Sequence, residues 1–382
     1  MWVFKLIGIL YLAVNALLIV RLFFVLRGAR APLALRVFLC LAAIGFSVAF
    51  PLSRVVEGNG PWVRAFTFAG TIWLAFVLHA LLAWLLVGLF RLCNRCFRWL
   101  TIAPERLPRW RVAVCGGIAL SAALATASGW VNTQYPTVRN VTLRAPAGME
   151  PLRVVALSDT HLGRLVSPSD FSRLVDLIEP LRPDLVLFAG DILDDHYGFD
   201  PVATRQSLQR LAPKLGVWGV LGNHEYIAGQ GDASVRLLEE GGIRILRDAW
   251  NDVGERILLI GRDDRSGERF SGRKRKTIPE ILANLPARLR ERPRILLDHQ
   301  PFHLEEAQAA NVLLQISGHT HKGQLFPFNY VVALIYENAY GYSRRDRTHY
   351  WVSSGAGTWG PRSRTTGRPE IVAIDMIPPP AR

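Results

Sequence analysis

The stretch from Phe66 to Phe90 constrains the fold most, because its 25 residues include no Asp, Glu, Lys or Arg. A transmembrane α-helix needs about 20 mainly apolar residues to cross the hydrocarbon core of a bilayer. We therefore predict a membrane span here. Three further apolar stretches, at residues 2–26, 32–52 and 112–131, predict a region of about four transmembrane helices. The first stretch is too long for a cleaved signal peptide, and further spans follow it.

The positive charge of the chain, +14 overall, lies almost entirely in this apolar half. Residues 1–150 carry 15 Lys and Arg against 3 acids, a balance of +12, whereas residues 151–382 carry 30 against 28, a balance of +2. Lysine and arginine concentrate in the cytoplasmic loops of membrane proteins. The connection between the first two predicted spans and the connection between the last two hold nine arginines in total. The N-terminus and the second connection, which lie on the opposite side of the membrane, hold only Lys5, Arg54 and Arg64. This count predicts an integral membrane protein with residues after 131 in the periplasm or an equivalent extracytoplasmic space.

The second half of the chain alternates apolar runs with helical patterns. We predict a transmembrane region at residues 1–133, a linker at 134–150 and a folded domain at 151–382. LRVVALSD predicts a buried strand, and the helical pattern of SPSDFSRLVDLIEPLRP follows it. Further strands are expected in DLVLFAGDILDD, GVWGVLGNHE, RILLDHQP and VLLQISGHTH. Strands that alternate with helices predict an α/β layered fold.

Each of these apolar runs stops at a His, Asp or Asn. In α/β folds, ligands bind at the carboxyl ends of the strands. A single fragment of this kind is by default a turn or a helix cap, but five in succession predict one common site. The residues concerned are Asp159, His161, Asp191, Asp194, Asn223, His224, His299, His319 and His321. Residues two apart in an extended segment point the same way, so His319 and His321 are expected to project together.

The order D-x-H, G-D-x-x-D, G-N-H-E, H and G-H-x-H resembles the calcineurin-like metallophosphoesterase superfamily, with all five blocks intact. The resemblance covers about residues 150–377. The segment WVSSGAGTWGPRSRTTGRPEIVAI is similar to the closing strands of a membrane-associated bacterial branch, which implies a location in a bacterial inner membrane. The resemblance implies an α/β fold with four layers, α/β/β/α, and a dinuclear metal centre. Lys322 stands where that branch frequently has glycine, and it adds a positive charge near the expected substrate.

The resemblance also implies a role for each residue of the five blocks. Asp159, His161 and His321 would bind the first metal ion. Asn223, His299 and His319 would bind the second, and Asp191 would bridge the two. Asp194 would orient His224, the proposed proton donor.

These residue types suit a definite chemistry. Imidazoles combined with carboxylates and an amide oxygen favour borderline divalent metals such as Mn, Fe or Zn. Two such ions can hold a bridging hydroxide at neutral pH and stabilise the attacking and leaving oxygens of an in-line displacement. Histidine titrates closest to neutral pH, which favours His224 as the group that protonates the leaving oxygen.

Other polar residues near the blocks have simpler explanations. Asp263 and Asp264 are expected to close a turn, and Asp298 is expected to face away from His299, its neighbour on the strand. Asp195 and His196 flank a predicted ligand, so contact with substrate is an alternative to a loop role. SGRKRK, residues 271–276, predicts a solvated loop, with anionic lipid headgroups as the alternative contact. A nucleic-acid partner is not expected, because the domain's balance is only +2 and no aromatic residues interleave with this run.

The combined prediction is a membrane-anchored, metal-dependent phosphoesterase that hydrolyses a phosphate ester. A lipid-linked or other envelope phosphoester is the candidate substrate. The alternative within the enzyme class is a nucleotide phosphodiesterase, because the motifs do not separate monoesterases from diesterases. A catalytically silent membrane sensor or scaffold is the alternative from another class. It predicts erosion of the ligand residues, and the five blocks show none.

Overall fold

A computed structural model describes residues 2–53, 55–227 and 231–379, and these fall into a helical unit and an α/β unit. Four helices form the first unit: α1 (Trp2–Gly28), α2 (Leu33–Ser53), α3 (Pro61–Phe97) and α4 (Leu107–Thr133). All four are long and apolar enough to cross a membrane. They coincide with the four stretches predicted from the sequence.

Polar side chains inside the helical unit are hydrogen-bonded to one another. The side-chain oxygen of Asn15 accepts hydrogen bonds from Ser47 at 2.7 Å and from Trp73 at 2.8 Å, which ties α1, α2 and α3 together. His79 on α3 lies 3.1 Å from the hydroxyl of Thr126 on α4. These bonds satisfy groups that would be costly to leave unpaired in an apolar surrounding.

The α/β unit contains two mixed sheets of six strands each. The first has the order β1-β12-β2-β3-β4-β5 and comprises β1 (Thr137–Arg144), β2 (Leu152–Leu157), β3 (Leu185–Ala189), β4 (Val217–Val220), β5 (Arg244–Ile245) and β12 (Glu370–Ile377). The second has the order β10-β11-β9-β8-β7-β6 and comprises β6 (Ala249–Val253), β7 (Ile257–Gly261), β8 (Arg294–Leu297), β9 (Val312–Ser317), β10 (Gly341–Arg345) and β11 (Thr348–Val352). The central strands β2, β3 and β4 are parallel to one another, as are β7, β8 and β9.

Eight α-helices lie among the described residues of the α/β unit. They are α5 (Pro168–Ile178), α6 (Pro201–Gln209), α7 (Asn223–Ile227), α8 (Gly231–Glu240), α9 (Ser266–Ser271), α10 (Ile278–Leu282), α11 (Leu304–Ala309) and α12 (Phe328–Ile335). Helix α5 begins where its sequence predicts, because Ser167 and Asp170 form a reciprocal capping box at its N-terminus.

Alternation of side chains along the strands builds the layers. Val154 and Leu187 of the first sheet pack with Leu259 and Ile295 of the second in one core between the sheets. The opposite face of the first sheet packs against α5, and that of the second packs against α10 and α11. The order of layers is therefore helix, sheet, sheet, helix, which confirms the predicted α/β/β/α class.

The predicted linker at residues 134–150 is different in the structure, because residues 137–144 form strand β1. This strand pairs in parallel with β12, from Thr137 opposite Glu370 to Arg144 opposite Ile377. Its sequence, TVRNVTLR, looks polar, but Val138 and Val141 pack against the two cores. The pairing joins residues more than 200 positions apart, so no local pattern predicts it. Residues 134–136 alone connect α4 to the first sheet.

Candidate metal centre

The carboxyl ends of strands from both sheets bring the predicted site residues together. Strands β2, β3 and β4 are followed by the blocks that carry Asp159, Asp191 and Asn223. Strands β8 and β9 are followed by the blocks that carry His299 and His319. Because parallel strands end at one edge of their sheet, these blocks meet across the edge of the sandwich.

The first group of converging side chains comprises Asp159, His161 and His321, all buried. Nε2 of His161 lies 3.1 Å from Nε2 of His321, and the latter lies 3.3 Å from Oδ1 of Asp159. The backbone N–H of His319 donates to the Asp159 carboxylate at 2.9 Å, which fixes its orientation. These three residues are those expected around the first metal ion.

The second group comprises Asp191, His299 and His319, with Asn223 beside them. The imidazole of His299 donates from Nδ1 to the Ala189 carbonyl at 2.8 Å, which turns its Nε2 towards Oδ2 of Asp191, 3.2 Å away. The amide oxygen of Asn223 lies 2.7 Å from Nδ1 of His319 and 3.3 Å from Nε2 of His299. A backbone carbonyl that holds the outer nitrogen of a histidine is the usual support for a metal ligand.

Asp191 faces both groups. Its Oδ2 lies 3.2 Å from Nε2 of His299 and 3.9 Å from Nε2 of His161. Its Oδ1 accepts the backbone N–H of His224 at 2.8 Å. A carboxylate placed between two groups of ligands has the geometry that a bridging ligand requires.

The third group comprises Asp194 and His224 beside His161. Nδ1 of His224 lies 2.9 Å from Oδ1 of Asp194. This bond orients the ring so that its other nitrogen is available to a ligand. The indole of Trp359, about half exposed, lies 6.1 Å from the His224 ring and was not identified from the sequence.

The buried donor atoms fit a divalent cation. Nδ1 of His161 and Nδ1 of His321 have no hydrogen-bond partner among the described residues, and their Nε2 atoms face each other. Unsatisfied buried polar groups are rare and costly. A cation bound by these two imidazoles and the Asp159 carboxylate would compensate for the burial of these groups. Imidazole and carboxylate donors are those that Mn, Fe and Zn accept.

The protonation states of three of the four predicted histidine ligands favour the same interpretation, whereas Asp191 raises the pKa of the fourth, His299, well above its ordinary value despite burial. Burial lowers the pKa of His161 to about 3 and that of His319 to about 4, and it holds the pKa of His321 well below its ordinary value. These imidazoles are therefore neutral near pH 7 and offer lone pairs. Burial alone would raise the pKa of Asp191, but the neighbouring His299 and His224 hold it well below its usual range, so this carboxylate is ionised.

Left-handed backbone conformations concentrate at these residues. Asp159, His161, Asp191, His319 and His321 all have φ between 48° and 70°. This region costs a non-glycine residue roughly 1–2 kcal/mol, and such strain clusters at functional sites.

The expectation of an extended segment from His319 to His321 is wrong. Strand β9 ends at Ser317, and His321 begins a turn of 3₁₀ helix that ends at Gly323. The positive φ angles of both histidines reverse the chain between them. As a result, His319 joins the second group of ligands and His321 joins the first.

The residues given simpler explanations lie outside the three groups. Asp298 forms ion pairs with Arg262 and Arg275, and thus lies away from the ligands, as expected. Asp263 accepts a hydrogen bond from Tyr226, and Asp264 accepts one from the Gln300 amide.

Asp195 and His196 also have partners outside the ligand groups. Asp195 accepts the backbone N–H groups of Tyr197 and Gly198, and His196 lies 2.9 Å from the Ser234 hydroxyl. In the loop at residues 271–276, Arg273 pairs with Asp263 and Arg275 pairs with Asp298. Two of the four positive charges of this loop are therefore neutralised. The Lys322 ammonium lies 4.3 Å from the centre of the Tyr340 ring.

Two supporting residues were not assigned roles from the sequence. Arg364 is fully buried and donates to four backbone carbonyls, those of His321, Ser354, Gly355 and Gly357. Glu225 accepts the backbone N–H of Leu193 at 2.8 Å and that of Gly222 at 2.7 Å, which joins two of the ligand-bearing loops. Glu225 could have been suspected from the G-N-H-E block, whereas an arginine in a glycine-rich tail gives no signal of burial.

Comparison with known proteins indicates the family of this chain. Residues 152–323 match the calcineurin-like phosphoesterase family. An uncharacterized metallophosphoesterase of Aquifex aeolicus is 32% identical over 261 residues, which cover 67% of this chain and 97% of the relative. One of Campylobacter jejuni is 31% identical over 264 residues, 68% of each protein.

A third relative includes a membrane region in its description. A transmembrane protein with metallophosphoesterase domain from Danio rerio is 33% identical over 261 residues, 64% of this chain. The match covers 59% of that relative, less than two thirds of its length. With the Aquifex protein matched over nearly its whole length, the chain belongs to the family of calcineurin-like metallophosphoesterases.

Proposed function

We propose that this protein is a membrane-anchored hydrolase that cleaves a phosphate ester, with a lipid-linked or other envelope phosphoester as its substrate. The observation that carries the proposal is the position of Asp191 between two groups of buried ligands. Phosphate esters carry negative charge on oxygens that two adjacent cations can stabilise together.

The roles follow from the positions of the side chains. Asp159, His161 and His321 would hold one divalent ion, and Asn223, His299 and His319 would hold the other, with Asp191 shared. When bound, two ions of Mn, Fe or Zn supply positive charge for the phosphoryl oxygens and lower the pKa of water to about 7.

His224 would protonate the leaving oxygen. Burial alone would lower the pKa of His224, but Asp191 and the hydrogen bond to Asp194 raise it to about 9, so the ring carries a proton at neutral pH. With Nδ1 held by Asp194, the proton that can move is the one on Nε2. Asp194 thus sets the orientation of the donor.

The choice of substrate class rests on the connection to the membrane. Residues 134–136 separate helix α4 from strand β1, which is about 10 Å of extended chain. Such a short connection keeps the α/β unit beside the bilayer, where lipid and envelope phosphoesters are concentrated. The resemblance to a bacterial branch favours a bacterial inner membrane, and the distribution of arginines favours the extracytoplasmic side for the α/β unit.

One experiment tests the activity, the metal content and the substrate class. The full chain in detergent would be given Mn and a panel of lipid phosphoesters and nucleotide diesters, with elemental analysis of the same sample. We expect about two metal ions per chain and hydrolysis of lipid esters. Asp191→Asn should reduce both, with activity falling at least about 100-fold because the shared ligand loses its charge.

Asp195→Asn is the matched control for metal content, because Asp195 lies in the same block but outside the ligand groups. It should keep both ions. Unchanged hydrolysis by Asp191→Asn would eliminate the catalytic proposal in favour of a silent sensor. Faster cleavage of nucleotide diesters than of lipid esters would contradict the proposed lipid substrate and favour a nucleotide phosphodiesterase.

A further inference from the structure

Helix α12 has an unusual composition for its position. Its sequence, FNYVVALI, contains no charged residue, and none of its eight residues is buried. The side chain of Leu334 is 89% exposed, Tyr330 is 63% exposed and Ile335 is 57% exposed. Phe326, just before the helix, is also exposed. These residues, 326–335, form what we call the apolar ledge.

A helix that is apolar on all sides belongs in a protein core or a membrane. Helix α5 of the same unit has the usual pattern, with Phe171, Leu174, Val175 and Ile178 buried on one side and polar residues on the other. Contiguous exposed apolar surface of this kind marks a place of interaction. The described residues of the α/β unit leave the ledge exposed, which makes it a candidate contact surface.

The ledge is joined firmly to the candidate metal centre. The Phe328 N–H donates to the carbonyl of Leu325 at 2.8 Å, and Leu325 lies four residues after His321 in the sequence. At the other end, the Thr320 hydroxyl donates to the Ala339 carbonyl at 2.7 Å. Tyr336, at the C-terminus of α12, has its ring 6.0 Å from that of His319. Contacts that hold the ledge in place therefore also constrain the turn that carries His319 and His321.

We propose that the apolar ledge inserts into the interfacial layer of the bilayer in which the chain is anchored. This insertion would bring the candidate metal centre to the level of the phospholipid headgroups. This inference rests on the proposed function, because it supplies the route by which a lipid phosphoester reaches the site. Interfacial helices bury their apolar side chains about 5–10 Å into the boundary between headgroups and acyl chains.

The chemistry around the ledge fits a lipid surface that carries negative charge. Phe326 and Tyr330 are aromatic residues of the type enriched at membrane interfaces. The hairpin of β10 and β11, which follows α12, carries Arg344 and Arg347, both exposed. These two exposed cations, which follow the ledge in the sequence, would attract anionic headgroups. The short connection at residues 134–136 supplies the proximity.

Photocrosslinking of the full chain in nanodiscs of phosphatidylcholine and phosphatidylglycerol tests the contact directly. Leu334 would be replaced by photoreactive p-benzoylphenylalanine. The control places the same group at Val202, an apolar residue of α6 that is 64% exposed. We expect lipid adducts at position 334 and background levels at 202. Equal yields at the two positions, or adducts to a protein chain at 334, would overturn the proposal.

A second measurement separates docking from catalysis. Leu334→Asp should slow the hydrolysis of a lipid phosphoester within the nanodisc at least about tenfold, because a charge opposes insertion of an apolar face. Hydrolysis of soluble 4-nitrophenyl phosphate should not change, and Val202→Asp should affect neither. Equal rates for Leu334→Asp and wild type on the lipid ester would contradict the inference and leave the proposed activity standing. Lipid adducts without hydrolysis of any lipid ester would support docking and refute the lipid substrate.

Discussion

At the scale of single residues, the hydrogen bond between His224 and Asp194 distinguishes the proposed proton donor from three of the predicted metal ligands. The predicted ligands His161, His319 and His321 have lowered pKa values, whereas the pKa of His224 is raised to about 9. Burial acts on all four rings in the same direction. The difference arises because His224 forms a hydrogen bond with the carboxylate of Asp194 and lies close to Asp191.

His224→Gln should therefore impair substrates according to their leaving groups. For an alkyl phosphoester we expect a loss in kcat of about 10²–10⁴-fold, the usual contribution of a general acid. For 4-nitrophenyl phosphate the loss should be much smaller, because nitrophenolate leaves without a proton. Steady-state rates on both substrates provide the measurement, and His196→Gln is the matched control outside the ligand groups.

The pH dependence of the hydrolysis rate is a second test of the role proposed for His224. Because the pKa of His224 is raised, its proton is retained above the ordinary value of 6.5 and lost on the alkaline side. The wild-type rate on an alkyl ester should fall as pH rises through that range, and the variant should lack this decline. Equal losses on both substrates would contradict the assignment of His224 as the donor.

At the scale of elements, the turns after the strands position the ligands. Gly190 follows β3 with φ of 87°, and a Cβ there would lie 2.6 Å from Nδ1 of His299. Only glycine combines this backbone with so close an approach. The turn thus allows the first sheet to support a ligand of the second, since the His299 ring also donates to the Ala189 carbonyl.

Gly190→Ala should consequently remove metal as well as stability. Gly216→Ala is the control, because its φ of 83° imposes similar strain while the nearest atom to a new Cβ is 3.5 Å away. Both variants should lose roughly 1–2 kcal/mol from backbone strain. Only Gly190→Ala should also lose bound metal, because His299 must move. Thermal unfolding and elemental analysis measure the two effects, and full metal content in Gly190→Ala would disprove the argument.

At the scale of the whole molecule, orientation in the membrane depends on the arginines of the connections. The nine arginines of the first and third connections predict cytoplasmic loops. Four helices of sufficient length agree with an even number of crossings. Both termini would then lie on the extracytoplasmic side.

Reporter fusions in bacterial cells test this orientation. Alkaline phosphatase fused at the C-terminus should be active, because it folds only after export, and green fluorescent protein at the same position should be dark. Fusions in the third connection, after Ile102, should give the opposite result. Phosphatase activity in the third connection with fluorescence at the C-terminus would reverse the predicted topology.

Much of the fold was readable from local pattern. The long apolar runs determined the four helices, because each must satisfy its own backbone hydrogen bonds within an apolar surrounding. The strands that precede Asp159, Asp191, Asn223, His299 and His319 were predicted because each is a short apolar run that ends in a polar block. The resemblance of these blocks to a known superfamily also supplied the expected ligand groups.

The tertiary structure alone decided how these parts meet. It paired β1 with β12, gave His319 and His321 left-handed backbone conformations, and buried Arg364 against four carbonyls. It also left α12 apolar and exposed beside the site. The physical reason is the same in each case. Hydrophobic periodicity acts over neighbouring residues, whereas a strand partner, a left-handed turn or a buried charge is stabilised by groups that lie far away along the chain.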